Sequence, residues 1–256
     1  MRVLPMSILW LVIVLLQRDA YGQYLHLHSH AGGPPVLAVF QGNADWLVEQ
    51  KDAASHLHHI KSLRALHLVQ HEISEAEMHY VAGLMQLRHL MIGQAPEAVS
   101  ISDAAFAELA DCLWLESVWI CNEDLNDDDL KVLRELPNLK EVTIEGGDLC
   151  EADMPHGLTE NAASILASIK NLESVRVRGD AGFSDRSVDE LAKLPKLWSL
   201  GLRSSRFTDD ALKIIASKMK LRALRIESPR FTDEGVRMLK ETTSIEELYI
   251  DRGGGP

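Results

Sequence analysis

The sequence predicts an α/β solenoid: a parallel β-sheet curved along a concave side, short helices along the convex side, the whole bent into a horseshoe. Three observations predict it. A stretch near the C-terminus is written twice and begun a third time, as LWSLGLRSSRFTDDALKIIASKMK, LRALRIESPRFTDEGVRMLKETTS and IEELYI. Its openers Leu197, Leu221 and Ile245 each start an apolar-x-x-apolar-x-apolar run. The same opener recurs upstream at Leu63, Leu87, Leu115, Leu139 and Leu172. The composition is 46% hydrophobic but only 5% aromatic, which suits thin repeated layers better than one globular centre.

In chain order, residues 1–22 read as a secretory signal. Arg2 supplies a short positive start, Val3 to Leu16 is apolar apart from Pro5 and Ser7, and Ala20-Tyr21-Gly22 places small residues before Gln23. The apolar run is short for a membrane span, so the chain is expected to be exported, with membrane attachment only if this segment stays uncleaved. Residues 23–62 read as a degenerate N-terminal cap repeat, with alternating YLHLHSH, the breaker AGGPP, strand-like VLAVF and a helix capped at Asn43. Residues 63–250 carry eight strands, in which positions 4 and 6 of each unit point inward, as in Leu66 and Leu68 or Leu224 and Ile226. Residues 251–256 are a Gly/Pro tail without a helical pattern, so the last strand is expected as an open edge.

Seven helix starts follow the strands: Ser74, Ser102, Asn126, Thr159, Ser184, Thr208 and Thr232, each succeeded by acids. The cap oxygen can accept an amide of the first turn, and the acids sit where the helix dipole is positive. Ser74-Glu-Ala-Glu77 has the capping-box pattern. Asp127-Asp128-Asp129 lacks the odd-spaced oxygens and turn glycine of a calcium loop and is read as dipole capping. Two units are long, through extra residues near Gly93–Ser100 and between Glu145 and Leu158, and both extensions follow their strand onto one rim.

These units, with Thr208-Asp209 and Thr232-Asp233 opening the helical half, resemble the leucine-rich repeat superfamily. The likeness is closest to its ribonuclease-inhibitor-like and cysteine-containing branches, in a secreted bacterial style. The resemblance implies a leucine-rich repeat horseshoe that binds a protein partner on its concave face, without catalysis or cofactor. The pattern departs from the family at repeat position 9, where an Asn or Cys ladder is usual. Here that position holds His71, Ala95, Glu123, Gly147, Asp180, Ser205 and Pro229, so the ladder is expected to be missing.

Outward strand positions 3, 5 and 7 line the concave face. Arg176, Arg178, Arg203 and Arg225 fall in one patch across three strands, flanked by Glu145, Glu227 and Asp251. A planar guanidinium suits carboxylate or phosphate, and Trp119 and Tyr249 are amphipathic anchors of the kind that dominate interfaces. The partner-binding set is therefore Arg176, Arg178, Arg203, Arg225, Trp119, Tyr249 and Glu227. A solvated face of balanced Arg–Glu pairs is the competing reading. The formal net charge of −12 argues against nucleic acid and anionic membranes as bulk partners.

Three cysteines, an odd number, leave at least one unpaired within the chain. Cys121 and Cys150 lie on adjacent repeats and are a candidate disulfide in an exported protein, whereas Cys112 follows Phe106 and Leu109 on an inward face and reads as a core thiol. Histidines crowd into the N-terminal third. His26, His28 and His30 on one strand face could hold Zn²⁺ or Cu²⁺, but no acid or cysteine stands near to complete a site, and no metal is assigned. Walker, G-x-G-x-x-G, G-x-S-x-G and H-E-x-x-H patterns are all missing, which argues against an enzyme. Two alternatives to a binding module stay open: an envelope component stacking through the open terminal strand, and a metal protein using the His-rich N-terminus.

Overall fold

The computed structural model describes residues 24–29, 35–41, 63–69, 72–73, 75–93, 100–122, 125–145, 157–178 and 182–253. The signal segment, Asn43, His30, Ser74, Cys150 and most of both long extensions lie outside them, as do the side chains of His26 and His28.

Alternation within each unit builds one ten-stranded sheet. Its strands are β1 (Tyr24–Ser29), β2 (Pro35–Gln41), β3 (Ala65–Val69), β5 (His89–Ile92), β7 (Ser117–Cys121), β8 (Glu141–Glu145), β9 (Ser174–Arg178), β10 (Ser199–Arg203), β11 (Ala223–Glu227) and β12 (Glu247–Asp251), adjacent in that order. All neighbours are parallel except β1 on β2, which run antiparallel. The two-residue strands β4 (Glu72–Ile73) and β6 (Ser100–Ile101) pair separately. The eight strands from β3 to β12, excluding β4 and β6, recur with the openers, each beginning two residues after its own. Positions 4 and 6 are buried in seven of the eight, from Leu66 and Leu68 to Leu224 and Ile226.

Helices α1 (Glu75–Ala82), α2 (Asp103–Ala107), α3 (Glu160–Ser168), α4 (Asp185–Leu191), α5 (Asp209–Lys218) and α6 (Asp233–Thr242) return the chain along the other side. Ser102, Thr159, Ser184, Thr208 and Thr232 each accept a first-turn amide, from Ala105, Asn161, Arg186, Asp210 and Gly235. The capping box among the described residues is at Ser184, whose amide donates to the Ser187 hydroxyl. After Asn126 the segment is a 3₁₀ helix, Asp129–Glu135, rather than an α-helix. There the Asp129 carboxylate turns back onto the Asn126 amide at 2.8 Å, and the Asn126 side chain takes the Asp128 amide at 2.8 Å, which draws the start into a tight turn.

The first-turn acids do more than face a dipole. Asp185 accepts both the amide and the hydroxyl of the next cap, Thr208, at 2.8 and 2.6 Å. Asp209 does the same for Thr232 at 3.0 and 2.5 Å, and Asp127 for Thr159 at 2.9 and 2.5 Å. Ser184 donates to Glu160 in the corresponding place. Each of these acids thus clamps its own helix start to the one that follows. At the opposite rim, one carbonyl per repeat accepts two successive amides of the next: Arg64 those of Arg88 and His89, Arg222 those of Glu246 and Glu247.

Position 9 holds no Asn or Cys, and serines supply polar bonds of another kind. One position earlier than the family pattern, Ser204 and Ser228 are buried, donate to the Phe183 and Phe207 carbonyls at 2.7 and 2.8 Å, and accept the amides of Arg206 and Arg230. Buried backbone carbonyls need such a donor. Asn122, at the equivalent place, is also buried.

Cys112 is 5% exposed, its thiol donates to the Glu108 carbonyl at 3.9 Å, and it forms no disulfide. Burial, reinforced by Asp111 and Glu108, pushes its pKa up to about 12. Because the thiolate is the reactive form, the native protein should leave Cys112 unalkylated by iodoacetamide at mildly alkaline pH, with full labelling in urea. Peptide mass spectrometry reads this directly, and native labelling at the rate of a small thiol would contradict the packing. Cys121 is buried on β7, and its candidate partner Cys150 lies outside the described residues.

A candidate binding face on the concave sheet

The strand register aligns outward residues into rows. Thr143, Arg176, Gly201, Arg225 and Tyr249 form one row across β8 to β12, and Cys121, Glu145 and Arg178 are in register on β7 to β9. Arg203, Glu227 and Asp251 align on β10 to β12. The four arginines and Glu227 therefore do gather, with Tyr249 at their edge.

Trp119 does not join them. It stands on β7, five strands from Tyr249, or about 24 Å at the usual spacing. Its ring instead stacks on His67, with centroids 6.2 Å apart, and its indole N–H is buried without an acceptor among the described residues. His67 in turn donates from Nε2 to the Gly93 carbonyl at 2.8 Å, and burial lowers its pKa, so the ring is neutral at pH 7.

Within the patch the charges are unequal in kind. Arg178 pairs with Glu145 at 3.0 Å, and that carboxylate is largely buried. Arg225 reaches Glu227 at 2.7 Å and lies 4.3 Å over the Tyr249 ring. Arg203 approaches the same Glu227 at 4.0 Å. The Tyr249 hydroxyl donates to Asp251 at 3.3 Å, and Asp251 also accepts the Gly253 amide, which holds its carboxyl below the usual range. Among the described residues Arg176 has no hydrogen bond and no carboxylate within 4 Å. Burial first, and then Arg178, lower its pKa, with Glu145 acting the other way; among the described residues no carboxylate reaches it in an ion pair.

Gly201 explains the posture of Arg176. A Cβ at 201 would stand 3.0 Å from Arg176 Cγ and 3.4 Å from Nε, so the side chain lies across β10 in the space the missing methyl leaves. Glycine weakens a strand by roughly 0.5–1 kcal/mol relative to alanine, and here it lodges a guanidinium. A glycine in an outward row beside arginine was the available sequence signal. Beside it opens a depression of about 350 Å³, lined by Arg176, Ser199, Ala223, Arg225, Glu247 and Tyr249 among others. Tyr249 is 46% exposed there.

The Asp127-Asp128-Asp129 run is spoken for: Asp127 holds Thr159, Asp128 pairs with Lys131 at 2.5 Å, and Asp129 holds the Asn126 amide.

No protein-family model and no curated protein matches the chain. Among solved structures it is similar to a chain of the Rad7 and Elc1 complex from yeast, with TM-score 0.50 and 14% identity, covering 82% of this chain and 64% of that one. It is also similar to an internalin from Listeria monocytogenes (TM-score 0.46, 15% identity, covering 78% of this chain and 50% of that one). A third likeness is to a chain of the TLR13–ssRNA13 complex (TM-score 0.41, 18% identity, covering 68% and 23%). The chain spans less than two thirds of the length of each. The repeated strand and helix, the single parallel run of nine strands from β2 to β12 and the Rad7-type likeness define the fold as an α/β leucine-rich repeat solenoid.

Proposed function

We propose that the chain is a non-catalytic interaction module that holds a protein partner on its concave sheet, in the manner of ribonuclease-inhibitor-like repeats, and that it acts outside the cytoplasm. The observation that carries this reading is Arg176, without an ion pair among the described residues, beside an exposed Tyr249 in a shallow depression, framed by arginines already committed to Glu145 and Glu227. Such a face presents shape, a guanidinium open to a partner and an aromatic anchor, and among the described residues it holds no nucleophile paired with a base. The outward residues alternate with the buried ones along each strand, so binding there leaves the core undisturbed. The acidic balance of the whole chain supports a protein rather than a nucleic acid.

The test is hydroxyl-radical footprinting of the mature protein, free and loaded with the partner it captures from envelope and culture extracts. Protection is expected at Tyr249 and its neighbours on β9 to β12. Protection confined to convex residues such as Met238 and Lys213 would remove the assignment.

A second reading draws on β12. Leu248 and Ile250 occupy the inward positions that are buried in the other seven strands of the set, yet they are only half-buried. Stacking through this edge predicts concentration-dependent oligomers in light scattering, and a monomer at every concentration argues against it.

A further inference from the structure

We propose that Arg176 is the socket for a single carboxylate, an Asp or Glu side chain on an extended acidic segment of the partner laid across β9 to β12. The inference rests on the concave-face reading and specifies its chemistry.

A lone guanidinium in water gains little from a partner, but one whose stem is packed down beside other cations gains more from an anion. Arg176 is exposed, but its stem lies against Gly201, and Arg178 and Arg225 disfavour its charge while Glu145 and Glu141 act only from a distance. Its neighbours have met the same demand internally, through Glu145 and Glu227. The Gly201 notch holds the stem of Arg176 in place, so little rotamer freedom remains to be lost when an anion arrives.

The surroundings favour a monoanion over a phosphate dianion. Glu247 lines the same depression, and Glu141 and Glu145 act on Arg176 from the strand beyond it. One planar carboxylate matches one planar fork. Ser199 lines the depression and can donate to the second oxygen, while Tyr249, 46% exposed, offers a wall for the methylenes of the incoming side chain.

Reversing Arg176, Arg203 and Arg225 together would be a poor test, because two of the three already pair with Glu227. The cleaner experiment titrates the whole mature chain into fluorescein-labelled oligoglutamate, oligoglutamine and phosphoserine peptides and follows anisotropy. Wild type is expected to bind the glutamate peptide and not the glutamine one. Arg176→Gln should lose about tenfold or more, the equivalent of one charge-assisted hydrogen-bonded contact. Lys213→Gln, which removes the same charge from the convex side, should lose nothing.

Gly201→Ala keeps every charge but displaces Arg176, and should weaken binding severalfold. This variant keeps the test valid if Arg176→Gln fails to fold. Equal loss in Lys213→Gln, unchanged binding by Arg176→Gln and Gly201→Ala, capture of the neutral peptide, or a preference for phosphoserine would each overturn the carboxylate socket. A partner whose concave footprint survives Arg176→Gln removes the socket and leaves the interaction module standing, whereas a footprint on the helices removes the module itself.

Discussion

Replacing Phe207 with alanine should lower the unfolding free energy by about 3–5 kcal/mol. Phe207 is fully buried, in a file of phenylalanines that continues through Phe183 behind it and Phe231 ahead, one per repeat. In a solenoid each layer touches only its neighbours, so the cavity opens towards two repeats with no distant packing to compensate. The Phe207 carbonyl also receives the buried Ser228 hydroxyl, and slackening there exposes a second polar contact. With total stabilities usually about 5–15 kcal/mol, the variant should melt well below wild type. Urea titration followed by circular dichroism measures it. A loss under about 1 kcal/mol would mean that the layers close over the gap, contrary to the close packing described.

The second large effect has the opposite sign to ordinary expectation. Gly→Ala within a helix normally stabilises by about 0.5–1 kcal/mol. Gly235, in the first turn of α6, should instead destabilise by about 2–4 kcal/mol when replaced by alanine, from overpacking together with a broken charge-assisted contact. A methyl there would stand 2.2 Å from an Asp209 carboxylate oxygen. That carboxylate cannot swing clear without releasing the Thr232 amide and hydroxyl that it holds at 3.0 and 2.5 Å. The double variant Asp209→Ala/Gly235→Ala separates the two terms: it should be more stable than Gly235→Ala alone. A stabilised Gly235→Ala single variant would show that the clamp yields freely.

The architecture was legible because it is written redundantly. The openers from Leu63 to Ile245 and the paired inward positions predict the eight-strand run, and the Ser/Thr-acid pairs predict caps found at Ser102, Thr159, Ser184, Thr208 and Thr232. What escaped were relations between repeats. The second role of Asp127, Asp185 and Asp209 needs the height of the following cap, which spacing alone does not supply. Attention to the Asn or Cys ladder usual at position 9 passed over position 8, where Ser204 and Ser228 turn inward. On the concave face, register placed the arginines side by side. Which of them are already satisfied depends on rotamers, and Glu227 answering both Arg203 and Arg225 is invisible in a row of letters. Trp119 was grouped with Tyr249 by chemical type, although four strands lie between theirs.

The clamps, the serine bonds and the doubly used rim carbonyls share one direction. In each, the repeat nearer the N-terminus accepts and the repeat nearer the C-terminus donates. The stack therefore has polarity, like a magnet whose poles differ: in these contacts one end of any repeat offers oxygen, the other N–H and O–H. Through these contacts, units of this design match one another head to tail. At the last described helix Arg252 supplies Asp233, at 2.5 Å, with the donor that a following threonine gives Asp209 one turn of the coil earlier.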